Sequence, residues 1–91
     1  MKVRLEASIY GRVQMVMFRD FVTRKARALG LVGEVKNMKD GSVHVVAEGE
    51  KATIDLLVQK IHKGPLLSKV EHIELVYKEP SGEYSSFNIV L

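Results

Sequence analysis

The period of the hydrophobic pattern changes along this chain in an order that few folds can satisfy. Val3, Leu5, Ala7 and Ile9 alternate with Lys2, Arg4, Glu6, Ser8 and Tyr10, the pattern of a strand with one wet face. Phe18, Val22, Ala26 and Leu29 then recur at intervals of four, four and three, one stripe of a helix that Gly30 stops. Lys25 sits at the margin of that stripe and snorkels outward. Leu31, Gly33, Val35 and Asn37 share one face of a second strand, opposite Val32, Glu34 and Lys36. The Met38-Lys39-Asp40-Gly41 turn leads into a third strand, Ser42 to Glu48, which makes a β-hairpin. Gly49 separates this strand from a second helix striped by Ile54, Leu57, Val58 and Ile61 and ended by Gly64-Pro65. A fourth strand runs from about Ser68 to Lys78. After the Pro80-Ser81-Gly82 turn, a last strand from Tyr84 carries Phe87, Ile89 and Leu91 on one face.

This order, βαββαβ plus a short C-terminal strand, predicts a ferredoxin-like two-layer α+β sandwich, an antiparallel sheet with two helices on one face. Residues 1–91 are expected to form a single domain, since the length suffices for one modest core. A content of 46% hydrophobic and 27% charged residues is that of an ordinary globular protein and argues against disorder. No apolar run is long enough to span a bilayer, and the N-terminus alternates charged with apolar residues as no signal-peptide core does. A cytoplasmic monomer is expected.

Such a fold hosts many activities, so function has to come from side chains. The chain has no cysteine, which removes disulfides, thiolate metal sites and a thiol nucleophile together. His44, His62 and His72 lack metal-ligand spacing, so a histidine-based metal site is not expected. A net charge of +3 is a mild bias toward anions and too small to imply nucleic acid. An RNA-binding sheet also needs several stacked aromatics on its open face, and here the aromatics are scattered.

What remains is anion chemistry in the stretch Gly11 to Arg19. A short strand-to-helix connection leaves the first helical N–H groups without intrahelical acceptors, at the positive end of the macrodipole. Arg19 stands beside them and completes a cradle for a small anion. A plain loop with one surface arginine accounts for the same residues. Asn37 closes its strand on the apolar-parity face, an odd place for a polar group without a partner, or else it simply begins the turn.

Gly11-Arg12-Val13-Gln14-Met15-Val16-Met17-Phe18-Arg19 resembles the first signature of the acylphosphatases, Gly-Arg-Val-Gln-Gly-Val-x-Phe-Arg. Val35-Lys36-Asn37-Met38-Lys39-Asp40-Gly41-Ser42-Val43 resembles the second, and Gly64-Pro65, Val70 and the closing Phe87-x-Ile89 also match the family. The resemblance covers nearly the whole chain. It implies hydrolysis of the carboxyl-phosphate bond of acyl phosphates, giving a carboxylate and inorganic phosphate without metal or cofactor. It further implies that Arg19 binds the phosphate, that Asn37 orients the attacking water, and that Gln14, Met15, Val16, Met17 and Phe18 supply the cradle through their backbone. The implied partners are the acyl phosphate and phosphate, with neither nucleic acid nor membrane. Two positions depart from the family pattern: Met15 stands in place of glycine, and Glu34 in place of the aromatic residue common before Val35. If the backbone at Met15 needs a positive φ, the methionine costs about 1 kcal/mol. Being unbranched, its side chain can turn outward, so only partial obstruction is expected. The alternative is a non-catalytic anion-binding or interaction module of the same fold, weakened by Met15.

Overall fold

The computed structural model describes residues 1–91. Along the chain run β1 (Lys2–Arg12), α1 (Phe18–Ala28), β2 (Val32–Asn37), β3 (Val43–Glu50), α2 (Lys51–Lys63), β4 (Lys69–Lys78) and β5 (Phe87–Val90). The sheet order is β4-β1-β3-β2-β5. β1 pairs antiparallel with β3 and with β4, and Ala7 stands opposite Val45 on one side and Leu75 on the other. The helices touch each other, α1 over β2 and β5, α2 over β3, β1 and β4. They therefore cover one sheet face. Strand periodicity puts Leu5, Ala7, Ile9, Val35, Val43, Val45 and Ala47 on that face, all fully buried, against Phe18, Val22, Ala26, Ile54, Leu57 and Ile61. Each large side chain among these contributes roughly 1.5–3 kcal/mol of transfer free energy.

Both helices begin and end where the sequence predicts. α1 stops in a Schellman arrangement, with Leu31 N–H on the Ala26 carbonyl and Gly30 N–H on Arg27, each at 3.0 Å, while Gly30 takes φ 72°. Gly49 does not separate β3 from α2. It lies within β3, paired with Val3, and α2 follows at once. A Cβ on Gly49 would stand 2.5 Å from Leu31 Cδ2, so the residue leaves room for packing where a break was expected.

The sheet is mixed, which corrects the expectation of a wholly antiparallel one. β5 runs parallel to β2, with Gly33 beside Phe87 and Val35 beside Ile89. The reason lies in the chain between β4 and β5. β4 ends beside Arg4, at the start of β1, and the following residues cross that end of the sheet and reach the start of β2. A strand beginning there can extend only in β2's own direction. The crossing is held by Glu48, 5% exposed, whose carboxylate accepts from Ser81 N–H (2.9 Å), Ser81 Oγ (2.8 Å), Gly82 N–H (3.1 Å) and Arg4 Nη1 (3.1 Å). Because this segment serves as the crossing, β5 starts at Phe87 instead of Tyr84, and the Tyr84 hydroxyl donates to Glu34 at 3.2 Å. Glu34 is thus occupied on the open face and does not border Asn37's side of β2. Arg27 also fixes β5: its Nε donates to the Phe87 carbonyl at 2.9 Å.

Candidate active site

The far end of β1 carries the cradle, and Gly11 makes its delivery possible. The β1–β4 register shifts between Tyr10 and Gly11, and Gly11 takes φ 126° where a Cβ would run into the Lys69 carbonyl. Beyond this bulge the chain leaves the sheet after Arg12 and turns through residues 13–17 into α1. Val13 and Phe18, both 1% exposed, pin the two ends of the turn into the core.

Between those pins the backbone alternates in hand. Met15 has φ 61° and Met17 has φ 62° and ψ 29°, the only positive-φ residues other than glycine, and Val16 between them is not of that kind. Alternation of this sort turns successive N–H groups toward one concavity, a nest for an anion. The N–H groups of Gln14, Met15, Val16 and Met17 have no backbone acceptor, and the first bond of α1 runs from Phe21 N–H to the Met17 carbonyl at 3.0 Å. No side chain caps the helix start. These donors and the helix dipole are therefore left for something outside the chain.

The concavity opens into a cavity of about 490 Å³ lined by Arg19, Asn37, Met15, Met17 and Phe18. No carboxylate pairs with the Arg19 guanidinium. Asp20 also lines the cavity, but its carboxylate accepts from Arg24 Nε at 2.9 Å. Asn37 reaches the cavity from the end of β2, and its Oδ1 is buried without any hydrogen-bond partner. An orphaned buried carbonyl costs about 1–3 kcal/mol, so the site holds an acceptor that the fold itself leaves unused. The tie between cradle and Asn37 is Gln14. Its Nε2 donates to the Met38 carbonyl at 2.8 Å and the Ser42 carbonyl at 2.9 Å, bracketing the turn after Asn37. That turn is closed by Asp40 Oδ1, which accepts from Ser42 N–H (2.9 Å) and Ser42 Oγ (2.6 Å). These Ser42 donors hold the Asp40 carboxyl below its ordinary range.

Of the residues singled out in the sequence, Arg19, Asn37, Met15, Met17 and Phe18 meet at this cavity. Gln14 and Val16 do not line it with their side chains, since Gln14 holds the hairpin turn and Val16 packs against the core. Met15 is 100% exposed at the mouth of the cavity it lines, so no core contact fixes its side chain. The left-handed geometry of Met17 carried no sequence signal. Ile89 and Leu91 line the cavity too, a placement that depends on β5 joining β2. A cavity of about 550 Å³ lies at the opposite end of the sheet beside Glu48, whose carboxylate is already fully engaged.

A sequence model of the acylphosphatase family matches residues 5–89. The chain is 43% identical to the acylphosphatase of Thermococcus kodakarensis over 89% of each chain. It is 44% identical to that of Thermus thermophilus over 87% of this chain and 90% of the other. The crystal structure of acylphosphatase from Bacillus subtilis superposes with a TM-score of 0.95 at 34% identity, covering 98% of this chain and 99% of that one.

Proposed function

The chain belongs to the acylphosphatase family and hydrolyses acyl phosphates, and from that premise we propose how its residues divide the reaction. The phosphoryl group rests on the N–H groups from Gln14 to Phe18, with the Arg19 guanidinium beside it. Asn37 accepts a hydrogen from a water molecule and aims its oxygen at phosphorus. The new P–O bond forms as the bond from phosphorus to the carboxyl oxygen breaks, the carboxylate leaves with that electron pair, and the water's proton passes to a phosphate oxygen. A carboxylate is already a good leaving group, so no strong general acid is needed. Positioning and charge stabilisation carry the acceleration.

The observation that carries this reading is the meeting, at one cavity, of an unpaired arginine, a cluster of unbonded N–H groups and an orphaned amide oxygen. The non-catalytic alternative has no observation in its favour. No group of three or more His, Asp or Glu side chains is arranged to hold a metal ion. No helix is long and apolar enough to cross a membrane. We further propose that residues 1–91 work as one domain, a cytoplasmic monomer that acts on small acyl phosphates and binds no nucleic acid.

Two variants separate the roles. Arg19→Gln abolishes both turnover of benzoyl phosphate and binding of inorganic phosphate, because the charge-assisted contact is gone. Asn37→Ala removes turnover but leaves phosphate affinity within about threefold, since water positioning belongs to the reaction step. Equal loss of phosphate binding in both folded variants, checked by circular dichroism, refutes this division of roles.

A further inference from the structure

The cradle is rimmed by apolar surface for which phosphate hydrolysis has no use. Met15 is 100% exposed, Met17 72% and Ile89 39%, and all three line the cavity that holds Arg19 and Asn37. Both methionines occupy left-handed backbone, where glycine or asparagine would sit with less strain. Strained residues kept at a site point to a use for their side chains. A phosphoryl group seated on the N–H nest would carry its bridging anhydride oxygen, and the acyl group beyond it, past this rim.

We propose that Met15, Met17 and Ile89 form a collar for the acyl group, so that the enzyme selects acyl phosphates bearing a flat apolar acyl group over acetyl phosphate. The proposal rests on the reading that the cradle and Arg19 hold the phosphoryl end. Methionine suits the task because it is unbranched and its polarisable sulfur packs well against aromatic rings. The contact involves a part of the substrate that does not react, and it exists in the ground state as well as the transition state. It therefore shows in the ratio of KM values for two substrates that share the same cradle.

The test compares the wild type with Met15→Gln/Met17→Gln and with Met15→Leu/Met17→Leu. Glutamine keeps the length and the backbone demand of methionine but ends in a polar group, and leucine keeps the apolar character. The ratio of kcat/KM for benzoyl phosphate to that for acetyl phosphate is measured in each, and comparison with the wild type cancels the intrinsic reactivities. The glutamine pair is expected to lower this ratio about fivefold through KM, and the leucine pair to keep it within about twofold. Independently of any variant, phenacylphosphonate, with CH2 in place of the anhydride oxygen, should bind the wild type several-fold more tightly than acetonylphosphonate. An unchanged ratio in the glutamine pair, or an equal fall in the leucine pair, overturns the collar. Turnover that persists while the two phosphonates bind equally well also sinks the collar and spares the catalytic reading. Phosphonates that are discriminated by a protein without turnover leave the collar standing and sink the catalytic reading.

Discussion

Replacing Met15 by glycine should make the protein more stable, although glycine in a loop usually does the reverse. The φ of 61° puts Met15 in the left-handed region, where an L side chain costs about 1–2 kcal/mol because Cβ crowds the following carbonyl. The side chain is fully exposed, so truncation forfeits no packing. Against the relief stands the extra freedom of glycine in the unfolded chain, about 0.4–1 kcal/mol. The difference is a gain of about 0.5–1 kcal/mol, which for a domain of this size is a rise in Tm of about 3–6 °C. Met15→Ala is the control: it removes the same side chain but keeps Cβ, so the strain stays and stability should hold within about 0.5 kcal/mol of the wild type. Urea denaturation of the three proteins at equal m-values measures the differences directly. If Met15→Gly is no more stable than Met15→Ala, the backbone there is not strained and the reasoning fails. The same substitution removes part of the apolar rim, so the gain in stability should come with a loss of preference for benzoyl phosphate.

Two further substitutions test how the site is held. Burial pushes the Glu48 carboxyl up, but the Ser81 and Gly82 donors and Arg4 outweigh it and hold the group below the ordinary glutamate value of 4.5. The stability it confers is therefore complete above about pH 4.5 and lost as pH falls through its lower folded value. Glu48→Gln should cost about 2–3 kcal/mol at pH 7, flatten the acid limb of the stability profile, and raise amide exchange in β5; an unchanged acid limb counts against this account. Gln14→Glu turns two donated hydrogen bonds into contacts between a carboxylate and two carbonyls. It should cost about 1–3 kcal/mol and lower kcat by loosening Asn37 against the cradle, so a variant with full kcat would show that Gln14 holds nothing of consequence.

Much of the architecture follows from local pattern. Strand and helix periods, the Asp40-Gly41 turn and the stop at Gly30 are each written in a few adjacent residues, because they depend on backbone preference and on which face is apolar. Arg19 and Asn37 could likewise be singled out, one beside an exposed helix start and the other at the wrong parity for a polar side chain. What the sequence does not carry is any relation that closes over a long separation. Gly49 reads as a break and proves to be a point of close packing, since Leu31, which needs the space, comes from another strand edge. The parallel pairing of β5 depends on where Glu48 pins the crossing at Ser81 and Gly82, a contact between groups more than thirty positions apart. That pairing brings Ile89 to the cavity, and Gln14 reaching Met38 and Ser42 brings the cradle to Asn37. Residue types and periods were therefore settled by the chain itself. The strain at Met15 and Met17, the orphaned Asn37 oxygen and the apolar rim arise only when separate segments converge, because each is a property of the space they enclose between them.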